Sequence, residues 1–289
     1  MENLELIENL SIFSKYIGNR ISDVQGGGGN TSVKYEKYMA IKASGYALKD
    51  LTATAGFSVM DLDSLKKFLN DKNLTQNKFD SFLGSFVTSD KYNRPSMEAG
   101  LHAIIDYAYV AHTHSAYVNV FTCSKEGKEI LAKLFPAYLW VDYASPGLDL
   151  FKKLHNKLRK ESVISKIIFL ENHGLIICSN DHEEIISLNE EINYKLISRF
   201  NLEKLRLGDE LSRENVKNLL FPDQAVYLEK IKTTIDADLS LAAKETISVV
   251  NYMISAMKSL KLTPKYLTAS EQKKLINLES EKYRKNLEK

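Results

Sequence analysis

Two histidines one residue apart, His112 and His114, close the apolar run in AYVAHTH. Side chains repeat every second residue along a strand, so both imidazoles leave one face and can reach a single cation. Such pairs are common by chance, and metal chemistry needs further donors. His173 offers one: in ENHG it sits between the apolar runs KIIFL and GLIIC, where Gly174 permits a tight backbone and leaves the imidazole at a strand end. Glu98 offers another, placed after Arg94-Pro95-Ser96, where a helix is expected to open with the glutamate in its first turn. Three histidines and a carboxylate form the donor set of a catalytic zinc site with room for substrate oxygens. His102, His155 and His182 fall at helical positions and read as structural or exposed.

A second group of residues could hold an anion. In QGGGGN, Gly26 to Gly29 precede Asn30 and Thr31, and the bare backbone can turn its N–H groups around a phosphate. No Gly-Lys-Ser/Thr follows and the next element is a strand, which excludes a Walker loop and a dinucleotide fingerprint. Ser44 and Gly45 follow the strand carrying Lys42 and are a second candidate phosphate contact, to which Lys34 and Lys42 could add charge.

The elements that must position these residues alternate along the chain. Leu6, Leu10, Phe13 and Ile17 mark an amphipathic first helix, after which TSVKY and MAIKA read as a hairpin turning at Glu36 and Lys37. A polar stretch follows, then a short helix from Asp61 to Leu69 with Asp61 as its cap. Helices are expected at 115 to 123 and 126 to 134, a strand at AYLWVDY, two strands around Glu171-Asn172-His173, and a long helix from about Asp181 to Phe200. Stretches 211 to 219, 235 to 260 and 269 to 287 have helical period with no strand between them. The chain therefore divides into a mixed domain, 1 to 205, and a helical extension, 206 to 289.

Composition limits the partners. With 39 basic and 37 acidic residues the net charge is +2, far from the basic footprint of a nucleic-acid binder. No apolar run reaches the roughly 20 residues that cross a bilayer, and the acidic start MENLELIENL is unlike a signal peptide, so a cytoplasmic protein is expected. Cys123 and Cys178 lie in apolar stretches without CxxC spacing and read as buried thiols.

Taken in order, GGGGNTSVK, IKASG, RPSMEAGLH, VAHTHSAYVNVF and FLENHGLII resemble the class II aldolase/adducin family over roughly residues 10 to 200. That family includes fuculose-phosphate and rhamnulose-phosphate aldolases, ribulose-phosphate 4-epimerases and methylthioribulose-phosphate dehydratase. LFPDQAVY and YLTASEQKKLINLESEKYRKNL further resemble the aldolase half of bifunctional rhamnulose-phosphate aldolase/lactaldehyde dehydrogenase proteins. On that resemblance the chain is expected to stop where a dehydrogenase half would begin and to lack its oxidation step.

The resemblance implies a three-layer α/β/α fold with a central, mostly antiparallel sheet, assembled as a tetramer. It implies a divalent ion, zinc first, held by His112, His114, His173 and Glu98, with Glu98 also the catalytic acid/base. It places Gly29, Asn30, Ser44, Gly45 and Ser96 around the phosphate of a small sugar phosphate. Where many family aldolases have two adjacent serines, this chain has Ser96 then Met97. A general acid from a neighbouring subunit is also implied, for which Tyr138, Asp142 and Tyr143 are weak candidates.

The expected reaction is retro-aldol cleavage of a ketose phosphate to dihydroxyacetone phosphate and an aldehyde, through an enediolate that the ion stabilises. Glu98, shielded from water, is expected to have a pKa raised toward neutrality. A 4-epimerase or dehydratase on the same scaffold, Schiff-base chemistry at Lys42, and an adducin-like protein without catalysis are the competing readings.

Overall fold

The computed structural model describes residues 3–89, 91–207, 212–235 and 238–276. Its strands are β1 (Asn30–Tyr35), β2 (Tyr38–Lys42), β3 (Phe57–Asp61), β4 (Tyr109–Thr113), β5 (Leu139–Val141), β6 (Ile167–Leu170) and β7 (Gly174–Ser179). They form one sheet in the order β3-β2-β1-β4-β7-β6-β5, antiparallel at every pairing except β5 with β6.

Both sheet faces are covered, which is why β4 and β7 are buried at every position instead of alternating. Ala111, Leu175 and Ile177 point into one hydrophobic cluster. Their neighbours Val110, Ile176 and Cys178 point into the other. The first layer contains α1 (Leu4–Gly18), α5 (Ala116–Thr122), α6 (Gly127–Leu134), α8 (His182–Phe200), α9 (Pro222–Thr233) and α10 (Leu241–Ser259). The second contains α2 (Leu62–Leu69), α3 (Gln76–Phe82), α4 (Ala99–Ile104) and α7 (Leu148–Leu158). A last helix, α11 (Ala269–Ile276), packs near α9 around Leu219 and Leu267. This is the three-layer α/β/α arrangement with a mostly antiparallel sheet.

Local chemistry sets several boundaries. Asp61 caps α2 by accepting the Ser64 N–H at 3.0 Å, and Asp181 caps α8 by accepting that of Glu183 at 2.9 Å. The hairpin turns at Glu36, and the β6–β7 connection turns at Asn172, both at positive φ.

Other expectations change. The helix carrying Glu98 begins at Ala99, not at Pro95, and Glu98 is its N-cap without a capping side-chain bond. Residues 94 to 96 are instead drawn along the end of β2: Ser44 N–H donates to the Arg94 carbonyl at 2.8 Å, and Ser96 N–H to the Lys42 carbonyl at 3.2 Å. Strand β3 closes what reads as a polar stretch, helix α3 forms in the segment after Leu69 where no element is expected, and the strand expected over AYLWVDY shortens to β5.

In the extension, a 3-10 turn at Asn215–Lys217 replaces the expected helix, α9 is added, and the next helix starts at Leu241 rather than 235. Residues 277 to 287 of the last expected helix lie outside the described residues. The extension shares its core with the mixed domain, because Phe221, Tyr227, Ile247 and Met253 join the cluster containing Phe13, Ala111 and Phe121. Among the described residues, no helix is long and apolar enough to cross a membrane.

Candidate metal centre

The β1–β4 ladder sets Asn30 directly opposite His112, on the sheet face turned toward α4. His114 lies one residue past the end of β4, and its N–H donates to the Asp23 carbonyl at 2.8 Å. Asp23 is itself buried and held by the side-chain amides of Asn189 and Asn193, at 3.1 and 2.7 Å. His173 ends the β6–β7 turn, where β7 pairing with β4 brings it to the same sheet end.

The three imidazoles converge. Nε2 of His112 is 3.1 Å from Nε2 of His114 and 3.3 Å from Nε2 of His173. All three histidines are buried, and their nearest ring nitrogens lie within 4.8 Å of one another. Glu98 closes the group, with Oε2 at 3.5 Å from Nε2 of His112 and Oε1 at 3.5 Å from Nε2 of His173.

The hydrogen bonds decide which ring nitrogens carry protons. His112 Nδ1 faces the Leu175 carbonyl at 3.0 Å, and His114 Nδ1 faces Asp223 Oδ2 at 2.5 Å. Both partners can only accept, so both Nδ1 atoms donate and both Nε2 lone pairs point inward. Two lone pairs 3.1 Å apart repel each other unless something positive lies between them. Glu98 Oε1 and His173 Nδ1 are buried without a hydrogen-bond partner among the described residues. Inward lone pairs, an orphaned carboxylate oxygen and water exclusion fit a divalent cation.

Protonation states agree with that fit. Burial lowers His112 and His173 below the ordinary imidazole range, His173 to about 3, leaving neutral imidazoles. Burial alone would raise the Glu98 carboxyl, but the imidazoles of His112, His173 and His114 and the Asn30 amide outweigh it and hold it at about 2. The expected rise toward neutrality is therefore not found, and Glu98 is a carboxylate.

Behind Glu98 runs a chain of directed donors. Ser32 Oγ lies 2.7 Å from His102 Nδ1, His102 Nε2 meets Asn30 Oδ1, and Asn30 Nδ2 donates to Glu98 Oε2 at 2.7 Å. His102, expected to be structural, is fully buried and driven to its neutral form by burial.

One cavity opens beside these groups, and Gly29, Asn30, Ser44, Gly45 and Ser96 line it together with Glu98, His114 and His173. Two of the loop N–H groups are spent within the protein, Gly26 on Glu245 at 2.8 Å and Gly28 on the Gln25 carbonyl at 2.9 Å. Lys42 also lines the cavity, its Nζ donating to the carbonyls of Gly27 and Tyr46 at 3.0 and 2.7 Å. Lys34 does not: it shares a sheet face with Asn30 but lies four residues further along β1, and its Nζ turns to the Tyr107 carbonyl at 2.8 Å.

Residues 19–196 match the family described as Class II Aldolase and Adducin N-terminal domain. The chain belongs to this family.

Solved structures agree on the fold of this class II aldolase/adducin chain. The N-terminal class II aldolase domain of a conserved protein from Thermoplasma acidophilum is 23% identical, covering 67% of this chain and 92% of that one, with a TM-score of 0.60. YgbL from Klebsiella pneumoniae, a putative aldolase/epimerase/decarboxylase, is 18% identical over 74% and 97% of the two chains, with a TM-score of 0.52. An L-fuculose 1-phosphate aldolase is 19% identical over 80% and 98%, with a TM-score of 0.50. Among curated proteins, the uncharacterized oxidoreductase YuxG from Bacillus subtilis (strain 168) is 27% identical over 209 residues, or 68% of this chain. The match spans 30% of that relative's length.

Two cavity residues of the class II aldolase/adducin chain had no assigned role in the sequence. Arg94 lines the wall, and Asp223 comes from α9 to meet His114. A fixed charge two residues before Ser96 is a usable signal for the first, whereas no spacing rule connects Asp223 with a histidine 109 residues away. Tyr138, Asp142 and Tyr143 do not line this cavity. Tyr138 packs on Phe169, Asp142 accepts from Trp140 Nε1 at 3.1 Å, and Tyr143 N–H donates to Glu171 at 3.0 Å.

Proposed function

We propose that this chain is a metal-dependent aldolase that cleaves a ketose phosphate into dihydroxyacetone phosphate and an aldehyde. One observation carries the reading: His114, His173 and Glu98 line a cavity with His112 Nε2 close behind them, and the wall of that cavity holds Lys42 and Arg94 with Ser44 and Ser96. His112, His114, His173 and Glu98 would hold the ion, and zinc suits three imidazoles with one carboxylate. When bound, the ion polarises the ketose carbonyl and stabilises the negative charge that grows on its oxygen as the carbon–carbon bond breaks.

The chain's own residues do the rest. Asn30 holds Glu98 Oε2 and so orients the carboxylate that carries the proton to and from the carbon beside the carbonyl. The cationic groups of Lys42 and Arg94, the hydroxyls of Ser44 and Ser96, and the backbone at Gly29 and Gly45 receive the phosphate. We further propose a homo-oligomer, a tetramer by family likeness, in which a neighbouring subunit supplies the general acid.

NMR of the purified protein with a series of ketose 1-phosphates tests this reading. Dihydroxyacetone phosphate and an aldehyde should appear, stop with a chelator and return with zinc. An epimer or a dehydrated product would assign the site to another reaction of the same scaffold, and borohydride trapping of substrate would contradict the metal mechanism.

A further inference from the structure

We infer that Asp223 is a positioning residue for His114, so that helix α9 of the C-terminal segment completes the metal centre. Asp223 lies beyond residues 19–196 matched by the family model. The inference rests on reading the three histidines as ligands.

Asp223 is in the first turn of α9, its side chain is 1% exposed, and its Oδ2 is 2.5 Å from His114 Nδ1. A buried carboxylate is retained only where donors meet it, and a short contact to an imidazole N–H is such a place. The bond fixes the Nδ1–H tautomer, holds the ring plane, and makes the opposite nitrogen a better electron donor.

The start of α9 is anchored to the same end of the sheet. Gln224 Nε2 donates to the Val216 and Asn218 carbonyls at 3.0 and 2.9 Å, and its Oε1 accepts the Leu220 N–H at 2.9 Å. Asn172, next to His173, donates to the Leu220 carbonyl at 2.8 Å, so the turn bearing one histidine grips the segment that orients another. The glycine loop is shaped around this carboxylate. A Cβ on Gly28 would collide with Asp223 Oδ2, and Gly26 N–H is held by Glu245 on α10.

The experiment uses the full chain labelled with 15N-histidine, whose six histidines give a sparse spectrum. Long-range 1H–15N correlation on the metal-free protein should show His114 protonated at Nδ1 and bare at Nε2. Zinc affinity, measured against a chromophoric chelator, should fall about 10- to 100-fold in Asp223→Asn, while the melting temperature of the metal-free variant stays near wild type. A wild-type His114 protonated at Nε2 overturns the inference and needs no variant to fold. Equal zinc affinity in Asp223→Asn also overturns it. A wild type with the expected tautomer that takes up no zinc supports the Asp223–His114 pair and defeats the metal reading instead.

Discussion

Asn30 faces His112 across the β1–β4 ladder and donates to Glu98 Oε2 at 2.7 Å, tying the strand that carries the first histidine to the loop that carries the carboxylate. Its other amide atom meets His102, so one side chain serves two buried groups. Register and hydrogen bonding here act together: shifting β1 by one residue would turn Asn30 to the opposite face and leave Glu98 unheld.

Replacing Asn30 by alanine leaves Glu98 Oε2 and His102 Nε2 facing a dry gap. The expected cost is about 1 to 3 kcal/mol in urea unfolding, since buried polar groups lose their partner. Turnover should fall about 10- to 100-fold, as for other partners of metal-site residues. Unchanged stability and turnover in Asn30→Ala would refute the role given to this amide.

Gly174 follows His173, and its position is packed tightly. A Cβ there would press on the Thr113 carbonyl and stand 3.2 Å from His114 Cδ2. Gly174→Ala should therefore push the β4 end outward, costing about 1 to 3 kcal/mol and weakening metal uptake as well. Thermal unfolding with and without zinc checks both effects. A variant with wild-type melting and zinc binding would show that the sheet end yields without disturbing His114.

Lys34 predicts a stability that rises with pH. Burial lowers its pKa from the ordinary 10.5 to about 7. Below pH 7 both folded and unfolded chains carry the ammonium, and the cost of burying it is paid in full. Between about 7 and 10.5 the folded chain sheds that proton while the unfolded chain keeps it, so this group adds stability as pH rises, by at most about 1.4 kcal/mol per pH unit. Cys178, Lys66 and Asp106 are the charged or titratable groups acting on it, all more weakly than burial. Urea unfolding at pH 7 and pH 9 should show wild type gaining on Lys34→Met, and parallel curves would contradict the burial of this ammonium.

Much of the fold was legible because strong periodicities wrote it. The two runs around Glu171-Asn172-His173, the hairpin turning at Glu36, and the cap at Asp61 each have a local cause, and the structure reproduces them. Strand β3 was lost because its five residues follow a stretch of small and polar residues, although Phe57 and Val59 do alternate onto one face. The start of α4 was misplaced because Pro95 reads as a helix opener, while its pairing with Ala43 is a long-range contact. The same limit governed the site. His112 and His114 announce themselves by spacing, whereas Asp223 reaches His114 only through the packing of α9, and Glu98's ionisation depends on four neighbours brought together by folding.

Metal content by mass spectrometry on the purified chain tests the central claim most directly, with wild type set beside His112→Ala and His173→Ala. We predict close to one divalent ion per wild-type chain and its loss from both variants. Wild-type metal content in either variant would show that these imidazoles do not share an ion, and the proposed chemistry would fall with it.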